Sequence, residues 1–196
     1  VLRGCQLLFD QALSEERLVS MARSLGSDVP FCLFGGTALV TGTGETVMPL
    51  SPMPRVCITL VTPSFRVETA AAYVALDDAC GGDFSASKDV PACADMCQAL
   101  DRGDLTGVTS RLYDQFAPVI TAAHPELAEI NRTLRHYDCE GVSMSGSGPA
   151  TFGIYTARRW DMAERACAAV RARRVPAVIT EPVSSAYALF YSDPEE

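Results

Sequence analysis

From Pro54 onward the apolar residues of this 196-residue chain switch between two repeats, and that switching limits the folds open to it. Val56 to Val61 is a continuous apolar run of strand length, closed by Pro63. Val67 to Leu76 is alanine-rich and predicts a helix, and Gly81-Gly82-Asp83-Phe84-Ser85-Ala86-Ser87 predicts a loop. A helix is expected near 91–101. Leu105, Val108, Leu112 and Phe116 then recur every three or four residues as one helical stripe. His124-Pro125-Glu126 opens another helix, with proline suited to the first turn and Leu127, Ile130 and Leu134 facing inward. Strands follow near 141–144 and from Ala150 to Tyr155, then a helix over 158–172 and a strand from Val175 to Thr180. Strand, helices, strand, strand, helix, strand makes an α+β domain. No internal repeat is present.

Ser51-Pro52-Met53-Pro54 is the natural boundary, with two prolines in four residues. The expected organisation is therefore 1–53 and 54–196. In the first part, Leu2, Leu7, Leu8 and Phe9 have helical spacing. Ser14 followed by Glu15 and Glu16 predicts a capped helix with Leu18, Met21 and Leu25 on one face, stopped by Gly26. Val29 to Val40 is apolar but interrupted by Pro30, Gly35 and Gly36. Thr37 to Thr41 predicts a strand, Gly42-Thr43-Gly44 a turn, and a short strand runs through Val47.

Composition excludes several classes. Hydrophobic residues are 48% and charged residues 20%, as in soluble globular domains, so a disordered tail, a collagen repeat and a coiled coil are out. No apolar run approaches membrane-spanning length. Sixteen basic against 24 acidic residues give a net charge of −8, which leaves no basic stripe for nucleic acid. Arg171, Arg173 and Arg174 cluster, but as a solvated helix face. The eight cysteines are scattered without a C-x-x-C pair, most of them among apolar neighbours, as reduced core thiols. Cys93 and Cys97 share a helix face, yet with only His124 and His136 in the chain no metal site is expected. A reducing cytoplasm is the expected compartment. Val1 opens the chain without a signal-peptide pattern, and the expectation is that residues of a longer protein precede it.

Two segments carry candidate chemistry. Ser143-Met144-Ser145-Gly146-Ser147-Gly148 lies between two predicted strands. Its glycines and hydroxyls suit either a hairpin turn or a concavity of backbone N–H groups that binds an anion. It is no P-loop, because no lysine follows at the required spacing. Asp28, in Gly26-Ser27-Asp28-Val29-Pro30-Phe31, is either a helix cap or turn residue, or a buried base that takes a proton from a substrate hydroxyl. Gly42-Thr43-Gly44-Glu45 lacks the third glycine and the following helix of a dinucleotide fingerprint.

Together the segments Gly26–Phe31, Gly35-Gly36-Thr37-Ala38, Gly42–Glu45 and Ser143-Met144-Ser145-Gly146-Ser147-Gly148-Pro149 resemble the GHMP small-molecule kinases, over roughly Val1 to Thr180. The resemblance is strongest to the member that acts on a cytidine-diphosphate-linked methylerythritol. It implies a two-lobed α+β fold: 1–53 would be part of the N-terminal lobe, and 54–196 a ferredoxin-like C-terminal lobe. It also implies ATP and Mg²⁺ as cofactors, a small-molecule substrate, and no nucleic acid or membrane partner.

The resemblance assigns roles by position. Asp28 stands at the catalytic aspartate, beside the hydroxyl that takes the γ-phosphate. Ser145, Gly146, Ser147 and Gly148 match the glycine-rich loop near phosphates and substrate. Tyr73 falls where an aromatic stacks on cytosine, against the plain alternative of helix packing, and Thr69 and Thr43 fall at neighbouring substrate-lining positions.

The family's ATP loop, its catalytic lysine and part of the cytidine pocket correspond to residues upstream of Val1. The 196 residues alone are thus expected not to transfer phosphate, and 1–53 to be mobile, self-associated or completed by a further chain segment. Leu112-Tyr113-Asp114-Gln115-Phe116 departs from the Asn-Asp pair usual in the corresponding helix. The alternatives are a GHMP kinase for mevalonate, homoserine or a sugar, and a non-catalytic binding module.

Overall fold

The structure is a computed structural model that describes residues 1–8, 13–81 and 92–183, apart from the side chains of Arg3 and Leu7. Phe9, the predicted loop residues from Gly82 to Ser87 and residues 184–196 lie outside the described residues. The chain divides into two compact units after Met53, and Val1–Met53 is taken first.

Its elements are α1 (Leu2–Leu8), α2 (Glu15–Leu25), α3 (Val29–Phe34), β1 (Ala38–Thr41) and β2 (Thr46–Pro49). Ser14 caps α2 by accepting the Arg17 N–H at 3.3 Å, with Glu15 and Glu16 in the positive first turn. Gly26 ends the helix, donating its N–H to the Ala22 carbonyl. Leu18, Ala22 and Leu33 are buried, joined at the rim by Val19, Val29 and Phe34. The inward face of α2 is thus Leu18 and Ala22, four apart, whereas Met21 and Leu25 are exposed. The apolar stripe of α2 is wider than the single short helix α3 covers. That helix was hidden in the sequence, since six residues are too few to show a helical period. Strands β1 and β2 form an antiparallel hairpin, Ala38 opposite Pro49 and Thr41 opposite Thr46.

The second unit, Pro54–Pro182, begins with β3 (Val56–Val61) and α4 (Thr69–Cys80). Helices α5 (Cys93–Asp101), α6 (Leu105–Thr109), α7 (Ala117–Ala123) and α8 (Pro125–His136) follow. Next come β4 (Gly141–Met144), β5 (Thr151–Thr156), α9 (Trp160–Ala172) and β6 (Ala177–Thr180). The sheet order is β4-β5-β3-β6 with every neighbour antiparallel. With its crossing helices this is the ferredoxin-like βαββαβ arrangement.

Register decides which side chains meet the helices. Cys57 pairs with Tyr155 and Thr59 with Gly153. On that face Thr59 donates its hydroxyl to the Ala163 carbonyl of α9 at 3.2 Å. Tyr155, fully buried, donates its hydroxyl to the Leu134 carbonyl of α8 at 3.3 Å. Leu127, Leu134, Ala163, Ala166 and Val170 complete this core.

The stripe from Leu105 to Phe116 is not one helix. Ser110 Oγ and Arg111 Nη1 both donate to the Gly107 carbonyl, at 3.1 and 2.8 Å, which is the acceptor the next helical N–H would need. The Arg111 N–H turns to Val108 instead, and α6 ends. Helix α7 then starts on a new cap, described below.

Candidate functional site

The β4–β5 connection is the segment Ser145 to Ala150, so the glycine- and serine-rich loop is a hairpin. Ser145 donates its N–H to the Ala150 carbonyl at 2.8 Å, and Gly148 its N–H to the Ser145 carbonyl at 3.1 Å. Gly148 has φ +81°, and a Cβ there would stand 2.6 Å from Met144 Sδ, so both backbone and space demand glycine. Gly146, at φ +58°, faces open space. None of the described residues accepts the N–H of Gly146 or Ser147. The hairpin therefore leaves two donors without an acceptor among the described residues, as an anion cradle requires.

Thr69, the first residue of α4, places its Oγ1 3.0 Å from Ser147 Oγ. Tyr73 lies one helical turn further along α4 and is 54% exposed, while Ala72 and Leu76 face the core. Loop hydroxyls, loop N–H groups, the positive end of a 12-residue helix and an open aromatic ring are thereby gathered in one unit.

Two further residues of this region were not singled out for a role in the sequence. The Phe116 ring stands perpendicular to Tyr73, with centroids 4.9 Å apart and planes at 88°. Asp114 Oδ1 accepts the N–H groups of Phe116 and Ala117 at 2.8 and 3.2 Å, which starts α7. Burial pushes the Asp114 carboxyl above its ordinary value, against the two N–H donors that pull it down. An aspartate three residues before the start of an apolar helix was the available signal.

In Val1–Met53, Asp28 immediately precedes α3. It holds the N-cap position of that helix without a side-chain cap hydrogen bond, and it is exposed rather than buried as expected. Its carboxylate is exposed, and no described residue hydrogen-bonds to it. Thr43 sits in the β1–β2 turn, where its N–H and hydroxyl both donate to Glu45 Oε2, at 2.5 and 2.9 Å. The backbone N–H of Glu45 itself, then the Thr43 hydroxyl and N–H, hold the Glu45 carboxyl below its ordinary value. Gly44 has φ +97°, and any Cβ would collide with the Ser27 carbonyl oxygen. Glycine there lets the turn press against Gly26-Ser27-Asp28, which joins the two segments in space. A cleft of about 240 Å³ opens between Arg23, Ser27, Pro30 and Thr43. Asp28 and Thr43 thus belong to the first unit, and Thr69, Tyr73 and Ser145–Gly148 to the second.

Among the described residues no three His, Cys, Asp or Glu side chains converge as a metal-binding group. No helix among them is long and apolar enough to cross a membrane.

Residues 96–173, from α5 to the end of α9, match the family model described as GHMP kinases C terminal. Those residues form a GHMP kinase C-terminal domain. A relative from Caldicellulosiruptor saccharolyticus named 4-diphosphocytidyl-2-C-methyl-D-erythritol kinase is 37% identical over 161 residues, covering 82% of this chain and 53% of its own length. One of the same name from Moorella thermoacetica is 38% identical over 160 residues, covering 80% of this chain and 55% of its own. A solved structure of 4-(cytidine 5'-diphospho)-2C-methyl-D-erythritol kinase superposes with a TM-score of 0.69 at 32% identity, covering 92% of this chain and 61% of that one. The chain thus spans about half the length of the curated GHMP kinases it matches.

Proposed function

We propose that this chain forms part of a 4-diphosphocytidyl-2-C-methyl-D-erythritol kinase. The whole protein would transfer the γ-phosphate of ATP to a hydroxyl of that cytidine-diphosphate-linked methylerythritol, in non-mevalonate isoprenoid biosynthesis. The observation that carries the proposal is the 3.0 Å contact between Thr69 and Ser147, with the exposed Tyr73 one turn away. It sets hydroxyl and N–H donors beside an open ring, which suits a ligand carrying both phosphates and a base. Curated relatives of that name, 37% and 38% identical, support the same substrate.

In this proposal Asp28 accepts the proton of the substrate hydroxyl as its oxygen attacks the γ-phosphorus and ADP leaves. An exposed carboxylate with no side-chain hydrogen bond among the described residues keeps its lone pairs available for that proton. Ser145 to Gly148 and Thr69 orient the substrate's diphosphate, Tyr73 its cytosine, and Thr43 lines the substrate near Asp28. Mg²⁺ would be held mainly by nucleotide phosphates and water. The described residues build no carboxylate cage for it. All eight cysteines are free thiols, which suits a reducing cytoplasm. The exposed Met21, Leu25, Val40 and Met48 support self-association of the isolated chain through its first unit.

The test is ADP release by a protein of the relatives' full length that carries this chain, supplied with ATP, Mg²⁺ and the cytidine-diphosphate substrate. Turnover that free cytidine diphosphate inhibits competitively is the expected result. Turnover of mevalonate, homoserine or a sugar in its place, indifferent to cytidine diphosphate, would overturn the assignment.

A further inference from the structure

We infer that Phe116 is a positioning residue for base recognition: it holds the Tyr73 ring edge-on so that a face stays open to a stacked ring. The inference rests on the proposed role of Tyr73 and adds the residue that orients it. A solvent-facing tyrosine on a helix ordinarily samples several rotamers, and each ligand encounter must then select one of them. Here the Phe116 ring lies 4.9 Å away at 88°. That is the geometry in which the positive edge of one ring meets the negative face of the other. A perpendicular pair leaves at least one tyrosine face uncovered by its partner. The 54% exposure of Tyr73 agrees with an open face.

Phe116 is itself fixed. It packs against the core of the second unit, and its N–H is held by Asp114 Oδ1 at 2.8 Å. Ala117, the next residue, is bound by the same oxygen and starts α7, which packs on α4. A carboxylate, a helix start and an aromatic edge thus form one line of contacts leading to Tyr73. The break between α6 and α7 is what turns Phe116 out of a helical stripe and into this place.

The experiment is a double-mutant cycle in the full-length protein, with Tyr73→Ala, Phe116→Leu, their combination, and Phe116→Tyr. The readouts are KM for the cytidine-diphosphate substrate, kcat, and calorimetric affinity for cytidine monophosphate. Phe116→Leu keeps apolar bulk but removes the aromatic ring. It is expected to raise KM and weaken cytidine monophosphate by about 3- to 10-fold, the worth of an aromatic pair, with kcat within twofold. Phe116→Tyr should restore both. Added to Tyr73→Ala, Phe116→Leu should change KM no further, because its effect passes through Tyr73. An equal KM effect with and without Tyr73 would make Phe116 a packing residue and overturn the inference alone. So would an unchanged KM in Phe116→Leu when Tyr73→Ala raises it. A Tyr73→Ala protein with unchanged KM and affinity would overturn the stacking role and this inference together.

Discussion

Thr69 Oγ1 and Ser147 Oγ lie 3.0 Å apart although 78 positions separate them in the chain. The contact ties the first turn of α4 to the β4–β5 hairpin, so the helix carrying Tyr73 and the loop carrying the N–H donors keep a fixed spacing. In the proposed function, ligand recognition at this edge depends on that tie more than stability does.

Ser147→Ala should therefore change stability little. The bond is exposed, and a hydrogen bond of this kind contributes about 0.5–1.5 kcal/mol at most. Substrate KM should rise by a larger factor than that stability change accounts for, because the loop loses both a hydroxyl and its anchor. Urea midpoints and KM, measured on the same preparations, check this.

Gly148→Ala should destabilise more than Gly146→Ala. Both positions have positive φ, at +81° and +58°, which costs a side-chain-bearing residue about 1–2 kcal/mol. Only at Gly148 does the new methyl meet Met144 Sδ, adding about 1–3 kcal/mol of overpacking. Equal urea midpoints for the two variants would contradict the loop geometry.

The core offers a second pair of expectations. Leu134→Ala removes a fully buried side chain of α8 and should cost about 2–5 kcal/mol. Tyr155→Phe keeps the ring and loses only the hydroxyl bond to the Leu134 carbonyl, so about 1 kcal/mol is expected. Denaturant titration should rank them in that order.

Much of the second unit was legible because its period changes are abrupt. The strand at Val56–Val61 and the closing strand, helix, strand series need only runs, stripes and glycines to be seen. Ser14 as a cap and Gly26 as a stop were legible for the same local reason. The division of α6 from α7 was not, since Ser110 and Arg111 side chains take the Gly107 carbonyl without disturbing the apolar spacing. Met21 and Leu25 misled because a stripe does not say how much of itself a neighbour covers. At the site, Thr69 and Tyr73 could be placed on one helix by their spacing of four. Their closeness to Ser147 and Phe116 is tertiary, and no local pattern carries it.

Cysteine reactivity should follow burial and pH. Cys5, Cys32 and Cys93 are exposed and should alkylate first at pH 8, while buried Cys57 and Cys167 should wait for unfolding. Burial pushes the Cys139 thiol from 9.0 up to about 11 despite the nearby Arg135. The folded state thus favours the neutral thiol. Its contribution to stability is full below pH 9.0 and is lost as pH rises through about 11. Cys139→Ser should flatten the alkaline fall in unfolding midpoint, and mass spectrometry of the alkylated chain gives the reaction order.

The most direct test of the proposed chemistry is Asp28→Asn in a protein of the relatives' full length that carries this chain. Steady-state phosphoryl transfer to the cytidine-diphosphate substrate is measured beside nucleotide affinity. Asparagine keeps the shape of the side chain and removes the proton acceptor, so kcat should fall by about 10²–10⁴ while nucleotide affinity stays near that of the parent. A kcat within about threefold of the parent, far short of the loss expected for a general base, would contradict the assignment of Asp28 and the mechanism built on it.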